Sequence, residues 1–183
     1  LPARVLARLE AADARALART YSSVSAAKRR SVSAYTLFAR EIVTGRSEPG
    51  AQEELLEEMA GTAAGLPVGV VAELNGSARS LSIDADFLGG LGLALESHNA
   101  SPRAFAHRIV PEGESLEPCR AALEAARARD PAFAAGYVPD CDGDRGNLVY
   151  WDGDEGEAKA LEAQDTFALA VLAELSVMAC RAF

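Results

Sequence analysis

Short apolar runs alternate with helical stripes from residue 63 onward, and this alternation limits the fold more than any other feature. The predicted strands are residues 68–71, 91–96, 133–139 and 147–151. The predicted helices are residues 79–90, 115–129 and 162–182. In the second of them, Ser115 is the expected cap and Pro118 lies in the first turn. Strands separated by helices are typical of layered α/β proteins. We therefore expect an α/β fold, a three-layer α/β/α domain with a mixed sheet.

The first 62 residues lack strand-like runs and predict helix throughout. One helix is expected before residue 22, a second over residues 26–43 with Gly45 at its end, and a third after Pro49. We therefore divide the chain into a helical segment, residues 1–62, and an α/β domain, residues 63–183. Leu1 is not an initiator methionine, and we interpret it as a cut in a longer protein.

The overall charge is acidic, with 18 basic and 27 acidic residues and a net charge of −9. This balance argues against nucleic acid as a partner, because such binding needs a basic surface. No continuous run of about 18 apolar residues is present, so no membrane partner is expected. Three cysteines without CxxC spacing fit a reducing compartment, and we expect a cytoplasmic protein.

The strongest chemical signal is the segment Asp140-Cys141-Asp142-Gly143-Asp144-Arg145, which directly follows a predicted strand. Alternate residues of an extended segment point the same way, so the three carboxylates are expected to converge. Hard oxygen ligands favour magnesium, with calcium or manganese as alternatives. A calcium EF-hand does not fit, since that loop requires glycine at Arg145 and glutamate at Trp151. An acidic solvated turn between two strands is the alternative to a metal site.

This segment resembles the magnesium loop of the α-D-phosphohexomutases, the phosphoglucomutase and phosphomannomutase family. Residues 68–77, Val-Gly-Val-Val-Ala-Glu-Leu-Asn-Gly-Ser, are similar to the strand and turn that open the family's second domain. Residues 110–118 are similar to the acidic segment before that domain's second helix. The resemblance covers residues 65–183 in order, and residues 1–62 would be the end of the first domain and its connection.

The resemblance implies a role in isomerising hexose phosphates by phosphoryl transfer from a phosphoserine that would lie upstream of Leu1. Asp140, Asp142 and Asp144 would bind Mg²⁺, and Arg145 would contact the phosphoserine oxygens. For Arg145, an ion pair with a neighbouring aspartate is the alternative. The implied partners are a hexose phosphate and the remaining domains of the same chain. Because the donor serine belongs to another domain, the isolated chain is expected to be inactive.

Other interpretations accompany this one. The chain is alternatively a non-catalytic relative that keeps the fold for binding or regulation. An unrelated magnesium-dependent phosphatase is a third hypothesis, although the supporting lysine and threonine of such enzymes are not recognised here. Ser97-His98-Asn99 resembles part of the family's phosphoserine loop, but its position favours an ordinary polar loop. The apolar stripe of residues 162–182 is interpreted as core packing.

Overall fold

The computed structural model describes residues 3–182, and the chain divides after Gln52 into two compact units. The first unit contains α1, Ala3–Glu10, and α2, Ala14–Thr44. A third helix, α3, spans Pro49–Gly65. The helical character predicted for the beginning of the chain is therefore confirmed.

The break between the first two helices was predicted between residues 22 and 26, but it lies between Glu10 and Ala14. Asp13 caps α2 by accepting a 2.7 Å hydrogen bond from the backbone N–H of Ala16, and the helix then continues without interruption to Thr44. Residues 22–27 contain no glycine or proline that would end it. The predicted end at Gly45 is confirmed, since its N–H donates to the Glu41 carbonyl at 2.8 Å.

Five strands form the sheet of the second unit, in the order β2-β1-β3-β4-β5. The strands are β1 (Gly69–Glu73), β2 (Ala94–His98), β3 (Phe133–Pro139), β4 (Gly146–Asp152) and β5 (Glu157–Ala160). β1 pairs in parallel with β2 and β3, whereas β4 is antiparallel to β3 and β5. The mixed sheet confirms the predicted α/β class. The carboxyl ends of β1, β2 and β3 consequently lie at one edge of the sheet.

The core of this unit lies between the sheet and one helix, α5 (Glu117–Arg129). Leu123 and Ala126 of α5 are fully buried together with Val71, Val138 and Val149 of the strands. Trp151, the single tryptophan of the chain, packs against this cluster. Side chains from neighbouring strands thus form one continuous apolar layer beneath α5.

The start of α5 differs from the sequence prediction. Ser115 was expected to cap the helix, but it is buried within a 3-10 turn, Gly113–Leu116, and makes no cap hydrogen bond. Pro118 lies in the first turn of α5, as predicted. The predicted helix over residues 79–90 is also divided, into a 3-10 turn, Ala78–Leu81, and a short helix, α4 (Asp84–Gly90).

The last helix, α6 (Ala163–Ala182), corrects a second expectation. Its apolar side chains do not pack in the core: Phe167 is 72% exposed and Leu172 is 62% exposed. Among the described helices, this one is long and apolar enough to cross a membrane by length and composition, with a mean hydropathy of 1.3 over Ala163–Cys180. Signal sequences and core helices of soluble proteins meet the same criterion, so the expectation of no membrane partner stays a prediction.

Candidate functional site

The acidic loop lies at the carboxyl end of β3, where its strand ends at Pro139. One carboxylate oxygen from each of Asp140, Asp142 and Asp144 can be chosen so that all three lie within 4.8 Å of one another. The loop is closed by a 3.0 Å hydrogen bond from the Asp140 N–H to the Arg145 carbonyl. The three carboxylates therefore converge because the chain turns tightly here, and not through the extended geometry expected from the sequence.

Asp140 is only 4% exposed, and its carboxylate accepts hydrogen bonds from other residues of the loop. Its Oδ1 accepts the Gly143 N–H at 2.9 Å, and its Oδ2 accepts the Arg145 Nε–H at 2.9 Å. Burial pushes the pKa of Asp140 upward, but hydrogen bonds from Arg145 and Gly143 outweigh it and hold the pKa below the usual value. Asp140 is therefore ionised at neutral pH.

The other two carboxylates face solvent. Repulsion from Asp142, followed by slight desolvation and repulsion from Asp140, raises the pKa of Asp144 above its ordinary value. Because the three carboxylates repel one another, a cation placed among them would be attracted to their combined negative charge. The exposed thiol of Cys141 lies between the first two aspartates in sequence.

Arg145 forms an ion pair within the loop, and its side chain is 65% exposed. Its Nε lies 2.9 Å from Asp140 Oδ2 and 3.8 Å from Asp144 Oδ1. An ion pair with a neighbouring aspartate was the alternative to a phosphate contact for this residue. The exposed guanidinium retains unused donors, because a planar guanidinium carries five N–H groups. The observed pair and a further anion contact are thus compatible.

A second segment supports the loop from outside, and sequence reasoning did not identify it. The N–H of Ala78 donates to the Cys141 carbonyl at 2.9 Å. The aliphatic part of Arg79 lies against Gly143, where an added Cβ would be 2.8 Å from Cγ and Cδ of Arg79. Gly143 also has a φ of +80°, which favours glycine. No short motif marks such a contact, because it joins residues about 64 positions apart.

A buried polar cluster occupies the ends of β1 and β2. Glu73 is 1% exposed, and its carboxylate accepts hydrogen bonds from the Asn75 N–H and the Asn99 side chain at 2.9–3.0 Å. His107 Nε2 lies 3.4 Å from the same carboxylate. Asn75 in turn accepts the N–H groups of Ala106 and His107 through Oδ1. These hydrogen bonds attach residues 99–108 to the sheet, and we therefore assign the cluster a structural role.

The Ser97-His98-Asn99 segment joins this cluster instead of forming a separate loop. Ser97 and His98 continue β2, and Asn99 adopts a φ of 46°. His98 Nε2 lies 2.9 Å from the Glu96 carboxylate. The expectation that the whole segment is loop is therefore wrong, because parallel pairing with β1 extends through His98.

A cleft of about 320 Å³ lies next to the acidic loop. Its walls are residues 111–112, residues 144–147 and the first two turns of α6. Asn147 is buried and donates to the Pro111 carbonyl at 2.7 Å, which joins two of these walls. Asp144 and Arg145 are the charged loop residues that line the cleft. A bound anion or sugar in this space would therefore contact the loop directly.

The acidic hairpin turn after β4 is organised differently. Lys159 Nζ lies 2.7 Å from Asp152 and 2.6 Å from Glu155. The ammonium of Lys159 pairs with both carboxylates, so this turn, unlike the loop at Asp140, already contains a lysine ion pair. Among the described residues, Asp140, Asp142 and Asp144 are the one group of three or more acidic, histidine or cysteine side chains whose ligand atoms lie close enough together to hold a metal ion.

The donor set of the loop suits a hard cation such as magnesium in its chemistry, but its oxygens lie farther apart than those around a bound Mg²⁺. Ligand oxygens lie about 2.1 Å from Mg²⁺, so that neighbouring oxygens are about 3 Å apart and opposite ones about 4 Å apart. The separations, up to 4.8 Å, exceed these distances, so the two exposed side chains would have to rotate before all three oxygens could reach one ion. Asp140 can also serve as a ligand, because each carboxylate oxygen has a second lone pair.

Comparison with known proteins adds no family to this description. No protein-family model matches the chain, and no curated protein matches it significantly. The class that the fold and the loop define is an α/β protein with an acidic, cation-attracting loop at the carboxyl end of a sheet strand.

Replacing Asp144 by asparagine is expected to stabilise the metal-free protein slightly at neutral pH. The raised pKa of Asp144 shows that its ionised form is disfavoured in the folded state, so its removal relieves repulsion. The effect is small because the side chain is exposed and screened. Thermal unfolding in EDTA should show a higher midpoint for Asp144→Asn at pH 7. The difference should disappear as acid protonates Asp144 in the native protein, and a lower midpoint at pH 7 would contradict the electrostatic assignment.

Proposed function

We propose that this chain is part of a phosphosugar mutase of the phosphohexomutase type, an isomerase that moves a phosphoryl group within hexose phosphates. The observation that carries the proposal is the convergence of Asp140, Asp142 and Asp144 at the carboxyl end of β3. An open α/β sheet commonly binds ligands at this edge. In a mutase the chain would supply one wall of a cleft completed by other domains.

The residues of the loop have distinct tasks in this proposal. Asp140, Asp142 and Asp144 would hold Mg²⁺, which when bound supplies positive charge that stabilises a transferring phosphoryl group. Asp140 keeps the loop closed, and Arg145 presents N–H donors to a phosphate oxygen while it remains paired with Asp140. The adjacent cleft, lined by Asp144 and Arg145, has room for part of a sugar phosphate.

A non-catalytic relative that keeps the fold for binding or regulation is the second candidate. The observation that favours it is the ion pair between Arg145 and Asp140, which closes the loop without a cation. A structural loop needs this pair, but it does not need the two exposed carboxylates. Metal binding by Asp142 and Asp144 is therefore required by the mutase proposal, and mutase activity separates the two candidates.

Calorimetric titration with MgCl₂ at low ionic strength tests the metal site. The native protein is expected to bind one Mg²⁺ weakly, and Asp142→Asn should weaken the affinity at least tenfold, roughly the effect of altering an outer-shell partner of a metal ligand. Asp154→Asn is the matched control, because it removes the same charge from the hairpin turn after β4. Equal affinity in the native protein and Asp142→Asn would contradict the site.

The mutase activity itself needs the full-length product of the gene that encodes this chain. Conversion of glucose 1-phosphate or mannose 1-phosphate to the 6-phosphate should require Mg²⁺ and should fall strongly in Asp142→Asn. Metal binding without any such conversion would support the non-catalytic candidate.

A further inference from the structure

We infer that Arg79, Asp84 and Tyr137 form a positioning network that holds the acidic loop in its closed shape. This inference rests on the proposed function of the loop as a metal site, and it assigns three residues that lie outside the Asp140–Arg145 segment. None of the three is a ligand candidate. They act through the backbone of the loop.

The network is centred on the buried carboxylate of Asp84, the first residue of α4, which is 7% exposed. Arg79 approaches it with two nitrogens: Nε lies 3.1 Å from Oδ2, and Nη2 lies 2.6 Å from Oδ1. The hydrogen bond from Nε and the ion pair of Nη2 together restrict both the position and the orientation of the guanidinium. The Arg79 side chain, which is 27% exposed, is therefore held in one orientation.

Tyr137 provides the third contact from the sheet. Its hydroxyl donates to Asp84 Oδ2 at 2.6 Å. Burial, reinforced by the hydrogen bond to Asp84, raises the pKa of Tyr137 well above its usual value, so the hydroxyl remains a donor at any working pH. Because Tyr137 lies on β3 three residues before Asp140, the network is anchored to the strand that leads into the loop.

The network meets the loop at Gly143. The Cγ and Cδ atoms of Arg79 cover the face of Gly143 where a side chain would stand. Directly before Arg79, the Ala78 N–H holds the Cys141 carbonyl at 2.9 Å. These two contacts bracket Asp142, whose carboxylate belongs to the acidic cluster. A displacement of Arg79 would therefore release the part of the loop that carries Asp142 and Asp144.

Charge gives the inference a distinctive test. Arg79→Met removes a positive charge near an acidic loop, so electrostatics alone would make Mg²⁺ bind more tightly. Loss of positioning has the opposite effect, and we expect Arg79→Met to bind Mg²⁺ about 3–10-fold more weakly, at or below the lower end of what outer-shell changes cost. Tyr137→Phe changes no charge and should also weaken binding, by about threefold. Arg79→Lys keeps the charge and an aliphatic chain but loses the two-point contact with Asp84, so it should weaken binding less than Arg79→Met does.

The matched controls are Arg129→Met, which removes a charge from α5, and Tyr150→Phe, which removes a hydroxyl from the partly exposed face of β4. Neither is expected to change Mg²⁺ affinity by more than a factor of about two, the ordinary context-dependent scatter for surface changes. Affinities are compared at temperatures where all variants are fully folded. A general loss of stability therefore does not contribute to the measured differences.

Hydrogen exchange of the metal-free protein supplies a readout that does not depend on magnesium. In Arg79→Met and Tyr137→Phe, the amides of Gly143 and Arg145 should exchange at least about threefold faster than in the native protein, because local opening becomes easier. Faster exchange in a protein that binds no Mg²⁺ would support the network and refute the proposed metal site. Tighter or unchanged binding by Arg79→Met together with unchanged exchange would overturn the network.

Discussion

Replacement of Gly76 by alanine is expected to lower the free energy of unfolding of the second unit by about 3 kcal/mol, the sum of an αL penalty of roughly 1 kcal/mol and an overpacking cost of roughly 2 kcal/mol. Gly76 follows β1 and has a φ of +64°. A Cβ added there would lie 2.7–2.8 Å from the backbone N, C and O of Ala104. Backbone atoms cannot rotate away as a flexible side chain does, so residues 99–108 would have to move.

The clash matters for the site because Gly76 lies two residues before Ala78. Its N–H donates to the Asn99 carbonyl at 2.7 Å, and its carbonyl accepts the Arg103 N–H at 2.8 Å. A shift at Gly76 would therefore disturb Ala78 and Arg79, which contact the acidic loop, as well as residues 99–108. We expect Mg²⁺ affinity to fall in this variant together with stability.

Gly156→Ala is the control for the Gly76 experiment. Gly156 has a similar φ of +72°, but nothing lies within 4 Å of an added Cβ. Only the conformational penalty applies, so we expect a loss of about 1 kcal/mol. Urea unfolding followed by the fluorescence of Trp151 measures both variants. Equal losses for the two glycines would show that the contact with Ala104 has no energetic importance.

Leu123→Ala is the second large effect, with an expected loss of about 3 kcal/mol in the free energy of unfolding. Leu123 is fully buried at the centre of α5, against the strands of the sheet. Truncation removes apolar burial and leaves a cavity that rigid strands on one side cannot fill. The urea midpoint should therefore fall with little change in the slope of the transition.

Leu172→Ala provides the matched comparison on α6. This leucine is 62% exposed, so the same truncation should change the free energy of unfolding by no more than about 0.5 kcal/mol. A loss of several kcal/mol in Leu172→Ala would mean that the apolar side chains of α6 are buried in solution, as the sequence interpretation held. The pair of variants therefore tests both the core and the correction made for the last helix.

The sequence predicted the local elements of this protein well where periodicity was strong. β3 was predicted at its observed bounds, Phe133–Pro139, and β4 within one residue at each end. Short β-branched and aromatic runs bounded by turn residues carry this information within a few positions. The end of α2 at Gly45 was predicted for the same reason, since a helix C-terminus has a local signal.

Helix boundaries were predicted less well where weak helix-breaking residues compete with a capping residue elsewhere in the chain. A break was predicted before residue 26, but the observed α2 passes through Ser22, Ser23 and Ser25. Serine weakens a helix only slightly, and capping by Asp13 further upstream is enough to move the helix start. The apolar stripe of α6 was interpreted as core because periodicity identifies an apolar face without showing what covers it.

The sequence by itself determined which residues of the site carry charge and in what order they follow β3. It was also sufficient for the α/β class, since alternating strands and helices form few other architectures. Only the tertiary structure decided how the loop is closed and what supports it. Asp140 braces the loop through Arg145, and Arg79 covers Gly143 after being oriented by Asp84 and Tyr137. These contacts join residues distant in the chain, and their geometry depends on strand order and register, which no local pattern of residues records.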